Sequence, residues 1–269
     1  MHMICSLHDE HMLACPKHGV RRAAPHRGSI SPGLDVAQPS LHSHRLVRTM
    51  AVSCKATVVL QGLEDVLATV RRYAAAFLFI GHGSVNSYAN IQQVLKLVDN
   101  VAETNNALYG KEKWLAIFGG DPNVAERPSI GTVVAHLGGK WNVPVLAVQC
   151  DEWTVDPYVT FAFYYPTCKD SIGRTLFGGT DENGHLAGAT AVYLSDGICA
   201  AGLRGVYTFG GGKISVSEMK YASTVLGLPI LYTQCEAAVR QDEGQPYFGE
   251  VHEYGKTFLT SNSQRFERK

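Results

Sequence analysis

The feature that most constrains this chain is an alternation, sustained from Lys55 to about residue 235, of short apolar runs with longer amphipathic stretches. "ATVVL" (56–60), "FLFIGHG" (77–83), "KWLAIFGG" (113–120) and "VPVLAVQC" (143–150) have the length and side-chain content of strands. "TAVYLSDG" (190–197), "RGVYTFGGG" (204–212) and "LPILYT" (228–233) extend the series. Between them, residues 63–76, 90–108, 129–141 and 213–227 space their apolar positions as helices do; Ile91, Val94, Leu95, Val98 and Val101 fall on one face. Strands that are apolar on both faces and separated by helices belong in a parallel sheet covered on both sides. The predicted fold is a doubly wound, mainly parallel, Rossmann-like α/β domain over residues 53–240. Within it, 151–188 is aromatic and turn-rich and reads as an insertion or hairpin near the strand ends, placed to act as a lid. Residues 241–269 read as a polar C-terminal extension.

Bulk properties remove several function classes. The 269 residues carry 24 Lys plus Arg and 24 Asp plus Glu, so no positive excess advertises a nucleic-acid surface. No apolar run reaches the roughly 20 residues that cross a bilayer. The seven cysteines form no CxxC pair and no clustered Cys/His set, so neither a structural metal nor a cofactor is called for. Residues 1–52 differ from the rest: they hold seven of eleven histidines and five arginines but only Asp9, Glu10 and Asp35 as acids. An Arg-rich, acid-poor leader reads as an organellar transit peptide, for plastid or mitochondrion; a disordered tail, or sequence upstream of a start at Met50, is the alternative, with a cytoplasmic protein as its consequence.

Chemistry in a parallel sheet collects beyond the carboxyl ends of the strands, where helix N-termini present unpaired N–H groups. Three strands here run into glycine turns: "GHGSVNS" with Gly81, His82, Gly83, Ser84 and Asn86; "GGD" with Gly119, Gly120 and Asp121; and "GGGKIS" with Gly210, Gly211, Gly212, Lys213 and Ser215. These glycines with Ser84, Asn86, Lys213 and Ser215 are the candidate ligand-binding set. No GxxxxGK[ST] or GxGxxG spacing is present, which argues against P-loop and ordinary dinucleotide chemistry, and Ser84 lacks the GxSxG spacing of a nucleophile. Glu218, Asp121 and His82 are the candidate acids and bases. Each has a plain alternative: a solvated helix residue near the dipole, a turn or N-cap aspartate, and a satisfied loop histidine. "CDEWTVDPY" (150–158) groups Asp151, Glu152 and Asp156 with Trp153 and Tyr158, which suits either a polar turn or a cation or base site.

"GGKISVSE" (211–218) resembles the GGxGTxxE segment of the Lonely Guy family of nucleoside phosphoribohydrolases and of the wider SLOG superfamily, with Gly211, Gly212, Ser215 and Glu218 in register and Ile214 at the third glycine. The family's GGGxxGLMG segment is reduced to Gly119, Gly120 and a later Gly131. Its upstream arginine has no match, Arg204 being the nearest. The resemblance implies a nucleotide-like ligand with its phosphate on the glycine turn, a homodimer, and a role for Glu218 in stabilising the ribose as the base departs. Three functions follow as expectations: cleavage of an N-glycosidic bond, binding without catalysis in a sensor, or a structural subunit that has lost the pocket.

Overall fold

The computed structural model describes residues 56–237 apart from 85–86, 151–155, 168 and 174. The leader, most of the acidic group after residue 150 and the C-terminal extension lie outside them. Seven strands form one sheet: β1 (Val58–Leu60), β2 (Ala75–Gly81), β3 (Trp114–Phe118), β4 (Val145–Cys150), β5 (Phe161–Tyr165), β6 (Leu203–Phe209) and β7 (Ile230–Thr233). Their order is β1-β5-β4-β3-β2-β6-β7, and every strand pair is parallel. The doubly wound α/β expectation is met.

Strands β2, β3 and β4 sit centrally and are buried along nearly their whole length, as continuous apolar runs require. One face packs on α2 (Ile91–Tyr109) and α3 (Ile130–Trp141), through Val94, Val98, Val133 and Leu137 against Phe79, Trp114 and Phe118. The other packs on α1 (Leu63–Arg71), α4 (Gly188–Tyr193), α5 (Asp196–Ala201) and α6 (Lys213–Thr224), where Val66, Val70, Ile198 and Met219 meet Leu78, Ile117 and Val206. Local signals start the first pair: Asn90 Oδ1 accepts the Gln93 amide at 3.1 Å, and Ser129 with Thr132 forms a reciprocal capping box.

The chain leaves β2 towards α2 on one face and β6 towards α6 on the other. The adjacent strands β2 and β6 therefore flank the point where winding reverses, the place where open α/β sheets bind their ligands at the strands' carboxyl ends. Among the described residues, no helix is long and apolar enough to cross a membrane.

Two segments depart from the sequence reading. "TAVYLSDG" is not a strand: residues 188–193 form α4, and α5 starts at Asp196. Alternating Val and Tyr mimic a strand, but Ala189, Thr190, Tyr193 and Leu194 are all buried, a helical spacing that tertiary packing selects over propensity. The second departure is "FAFYY" (161–165), inside the expected insertion, which is β5 and lies between β1 and β4 in the sheet. Its polar, aromatic surroundings mask it in sequence.

Candidate functional site

The three glycine turns follow β3, β2 and β6, three neighbours in the sheet, so they line one edge side by side. Close approach of backbone or side chain accounts for some of their glycines. A Cβ on Gly81 would lie 2.8 Å from the Phe209 carbonyl and would strike the Tyr88 hydroxyl, which donates to that carbonyl at 2.8 Å. Gly211, with φ +127, leaves no room beside the Ser215 side chain, whose Cβ would be 2.6 Å away. Conformation and space both demand glycine there.

The first turn is already occupied by protein. Asp121 Oδ1 accepts the Ser84 amide at 3.3 Å and its hydroxyl at 3.4 Å, so that amide serves the second turn. Burial raises the Asp121 pKa, an effect the hydrogen bonds from the Ser129 and Ser84 side chains and the Ser84 amide partly offset. His82 is turned inward and 2% exposed, its Nε2 3.1 Å from the Cys235 carbonyl and its ring edge-on to Tyr88. Burial lowers its pKa, an effect the hydrogen bond to the Cys235 carbonyl opposes; because that carbonyl only accepts, Nε2 is the donor. The geometry is that of the satisfied loop histidine, an internal brace between the first turn and the segment after β7. Asn86 lies outside the described residues.

The third turn is different. Gly212 is the N-cap of α6 and supplies no side-chain cap to the helix's first amides. A Cβ there would meet nothing within 4 Å, and Lys213 next to it is exposed. Ser215 does not cap: it is buried, and its hydroxyl donates to the Gly81 carbonyl at 3.4 Å. Uncapped amides at the positive end of a 12-residue helix, with a lysine beside them, form an arrangement suited to an anion.

Glu218 lies further along α6 on its inward side, only 3% exposed, which excludes the solvated-residue alternative. Thr190 Oγ1 donates to Glu218 Oε1 at 2.8 Å, and the Tyr193 hydroxyl donates to the same oxygen. Burial outweighs these two stabilising hydrogen bonds and pushes the carboxyl up to about 7. The Tyr193 phenol, buried and facing that carboxyl, is raised well above its ordinary value and stays a donor. A Cβ on Gly119 would lie 4.0 Å from the Tyr193 hydroxyl, so the second turn meets this network. Gly178 approaches from the other side, where an added Cβ would sit 3.5 Å from Glu218 Oε1.

Thr190, Tyr193, Gly178 and Gly179 are the site residues that sequence reasoning missed. A strand over 190–197 would send residues 190 and 193 to opposite faces; one helical turn puts both on Glu218. The Gly178-Gly179 pair was visible in "LFGGT" but does not follow a strand. In the acidic group, Asp156 Oδ2 accepts the Asn123 amide at 2.8 Å, a turn role, and the Tyr158 ring packs on the Gly138-Gly139 pair of α3. Asp151, Glu152 and Trp153 lie outside the described residues, and no group of three potential metal ligands occurs among those described.

Two cavities elsewhere do not border Glu218. One of about 270 Å³ lies between β1 and α1, lined by Leu60, Asp65, Arg72 and Phe161 among others; one of about 40 Å³ lies beside the start of α2. The second lies against the segment that follows β7, but neither is lined by Glu218, Thr190, Tyr193 or the start of α6.

Fold and edge together define a Rossmann-like α/β protein with glycine turns at the strand ends beside its switch point. No family model matches the chain. No curated protein matches it. Two solved structures are similar. One is the X-ray structure of TM1055, a structural-genomics target, at TM-score 0.38 and 15% identity over 58% of this chain and 72% of that one. The other is the molybdenum cofactor carrier protein of Chlamydomonas reinhardtii, at TM-score 0.43 and 10% identity over 70% of this chain and 85% of that one.

Proposed function

We propose that this protein binds a phosphate-bearing, nucleotide-like small molecule at the carboxyl ends of β2 and β6, with the phosphate on the amides of Gly212 and Lys213. The observation that carries this reading is the uncapped start of α6 at the switch point, open at Gly212 and flanked by the Lys213 ammonium. The Lonely Guy resemblance over residues 211–218 supports the same ligand class.

A second reading adds chemistry: cleavage of the ligand's N-glycosidic bond, with Glu218 taking part as the base departs. A carboxyl poised at about 7 favours it, because an acid that is half-protonated at neutral pH both gives and takes protons readily. Against it, Arg204 is exposed at the amino-terminal end of β6, the far end of the strand from the crevice, so it cannot stand in for the family's arginine. Binding is therefore the primary function proposed, with hydrolysis secondary.

The test uses the full-length protein and a panel of nucleoside 5′-monophosphates and their nucleosides. Binding predicts thermal stabilisation by monophosphates and none by the nucleosides; free base in the supernatant adds hydrolysis. Stabilisation by none of the phosphate compounds would leave the structural-subunit reading. A homodimer, resting on the resemblance, and an organellar destination, resting on the composition of residues 1–52, belong to the same proposal. Light scattering and a fluorescent fusion of the leader test them.

A further inference from the structure

Both hydrogen bonds to Glu218 end on the same oxygen, Oε1. Thr190 Oγ1 accepts the Gly179 amide at 2.7 Å, so that lone pair is spent and its single proton points to Glu218. The Tyr193 hydroxyl, 3.1 Å from Thr190 Oγ1, also directs its proton to Oε1. An oxygen that already accepts two O–H groups has no place for a proton of its own. Among the described residues, the sealed side-chain polar atoms without a partner are Asn105 Nδ2, Asp121 Oδ2 and Thr208 Oγ1. The Thr190 and Tyr193 hydrogen bonds to Glu218 both fall on Oε1, and neither falls on Oε2.

We infer that Thr190 and Tyr193 are positioning residues that fix Glu218 by Oε1 and leave Oε2 as the atom that takes up and delivers a proton at the crevice. The Gly178-Gly179 turn locks this arrangement from above. The Gly179 amide orients Thr190, the Gly179 carbonyl accepts the Ala187 amide at 3.0 Å, and the Phe177 carbonyl accepts the Ala189 amide at 3.1 Å and the Tyr165 hydroxyl at 2.9 Å. Gly178 has to be a glycine for this closure, since a Cβ would come within 2.9 Å of Thr190 Oγ1. Among the described residues, Tyr193 and Thr190 from α4 are the polar groups that set the carboxyl, with Tyr165 behind Tyr193. For the ligand, which rests on the function proposed above, the consequence is a proton-accepting atom opposite Oε2, such as a ring nitrogen of a departing base.

The test reads Glu218 directly and needs no ligand. The full-length protein is labelled with ¹³C at glutamate carboxyls and titrated by NMR, the Glu218 signal being identified by its loss in Glu218→Gln. We expect a midpoint near 7, and in Tyr193→Phe and Thr190→Val a midpoint raised by roughly half a unit or more, because each removes a donor to the charged form. Thr190→Ser, which keeps the hydroxyl, restores the original midpoint. A midpoint in the ordinary carboxylate range, or one unmoved by Tyr193→Phe, overturns the inference; Tyr193→Phe alone suffices if Thr190→Val does not fold. Failure of every monophosphate to bind would count against the proposed function and leave these midpoints unchanged.

Discussion

Thr190 and Glu218, 28 positions apart in the chain, meet in the interior with the threonine hydroxyl donating to the glutamate carboxyl at 2.8 Å. The pair joins a helix at the end of the 151–188 segment to the helix that opens the crevice. A carboxyl whose donors among the described residues are the neutral hydroxyls of Thr190 and Tyr193 has a pH dependence opposite to that of a salt-bridged acid.

Glu218 binds its proton more tightly folded than unfolded, its pKa moving from the ordinary 4.5 to about 7. Between those values the native state holds more protons, so stability falls as pH rises from about 4.5 and levels off above about 7. The full cost is of the order of 3 kcal/mol, at about 1.4 kcal/mol per pKa unit. Glu218→Gln should therefore melt higher than the wild type at pH 8, with the difference vanishing near pH 4. Thermal unfolding of both proteins across that range checks it; equal melting temperatures at pH 8 would contradict a buried, raised carboxyl.

Gly211 and Gly212 should part company. Gly211→Ala combines a φ of +127 with a clash against Ser215, and we expect a loss of about 2–4 kcal/mol in urea unfolding. Gly212→Ala meets open space and should stay within about 0.5 kcal/mol of the wild type. Its methyl group would take up the open space that the proposed phosphate needs, so we expect roughly tenfold weaker binding of a stabilising monophosphate, about 1.4 kcal/mol.

His82→Ala tests whether that ring is a brace. Removing it empties a fully buried site and leaves the Cys235 carbonyl without its partner, which should cost about 2–4 kcal/mol. Urea midpoints give the value. A variant as stable as the wild type would reopen a role for His82 at the ligand.

On the far face of α2, Asp99 accepts from His136 at 2.6 Å, Lys140 at 2.7 Å and Trp141 at 2.7 Å. Burial opposes its ionisation, but the hydrogen bonds from Lys140, His136 and Trp141 win and hold the carboxyl at about 2. The stability it contributes is present above about pH 4 and is lost as pH falls through about 2. Asp99→Asn should cost about 1–2 kcal/mol at pH 7, discounted for the partial exposure of the group, and little at pH 2. Chemical denaturation at the two pH values distinguishes the cases.

The sheet and its edge were legible because burial on both faces leaves a period-free apolar run, and because glycine is the residue that permits strand ends to crowd together. That logic located β2, β3, β4 and β6, the three turns, and Glu218 on a helix. It failed at residues 190–193, where the same Val and Tyr side chains suit a strand or a buried helix, and at β5, hidden among turn residues. Local patterning carries the period of an element but not which neighbours will bury it.

Sequence by itself therefore determined the class of fold, the edge where glycines collect and the acid that stands nearest the uncapped helix. Tertiary structure alone decided how those residues are used. It spent the Ser84 amide on Asp121, turned His82 and Ser215 inward, and brought Thr190, Tyr193 and the Gly178-Gly179 turn onto Glu218. The reason is physical: a hydrogen bond across 28 or more residues depends on how the layers pack, and a buried carboxyl takes its pKa from whichever groups that packing delivers.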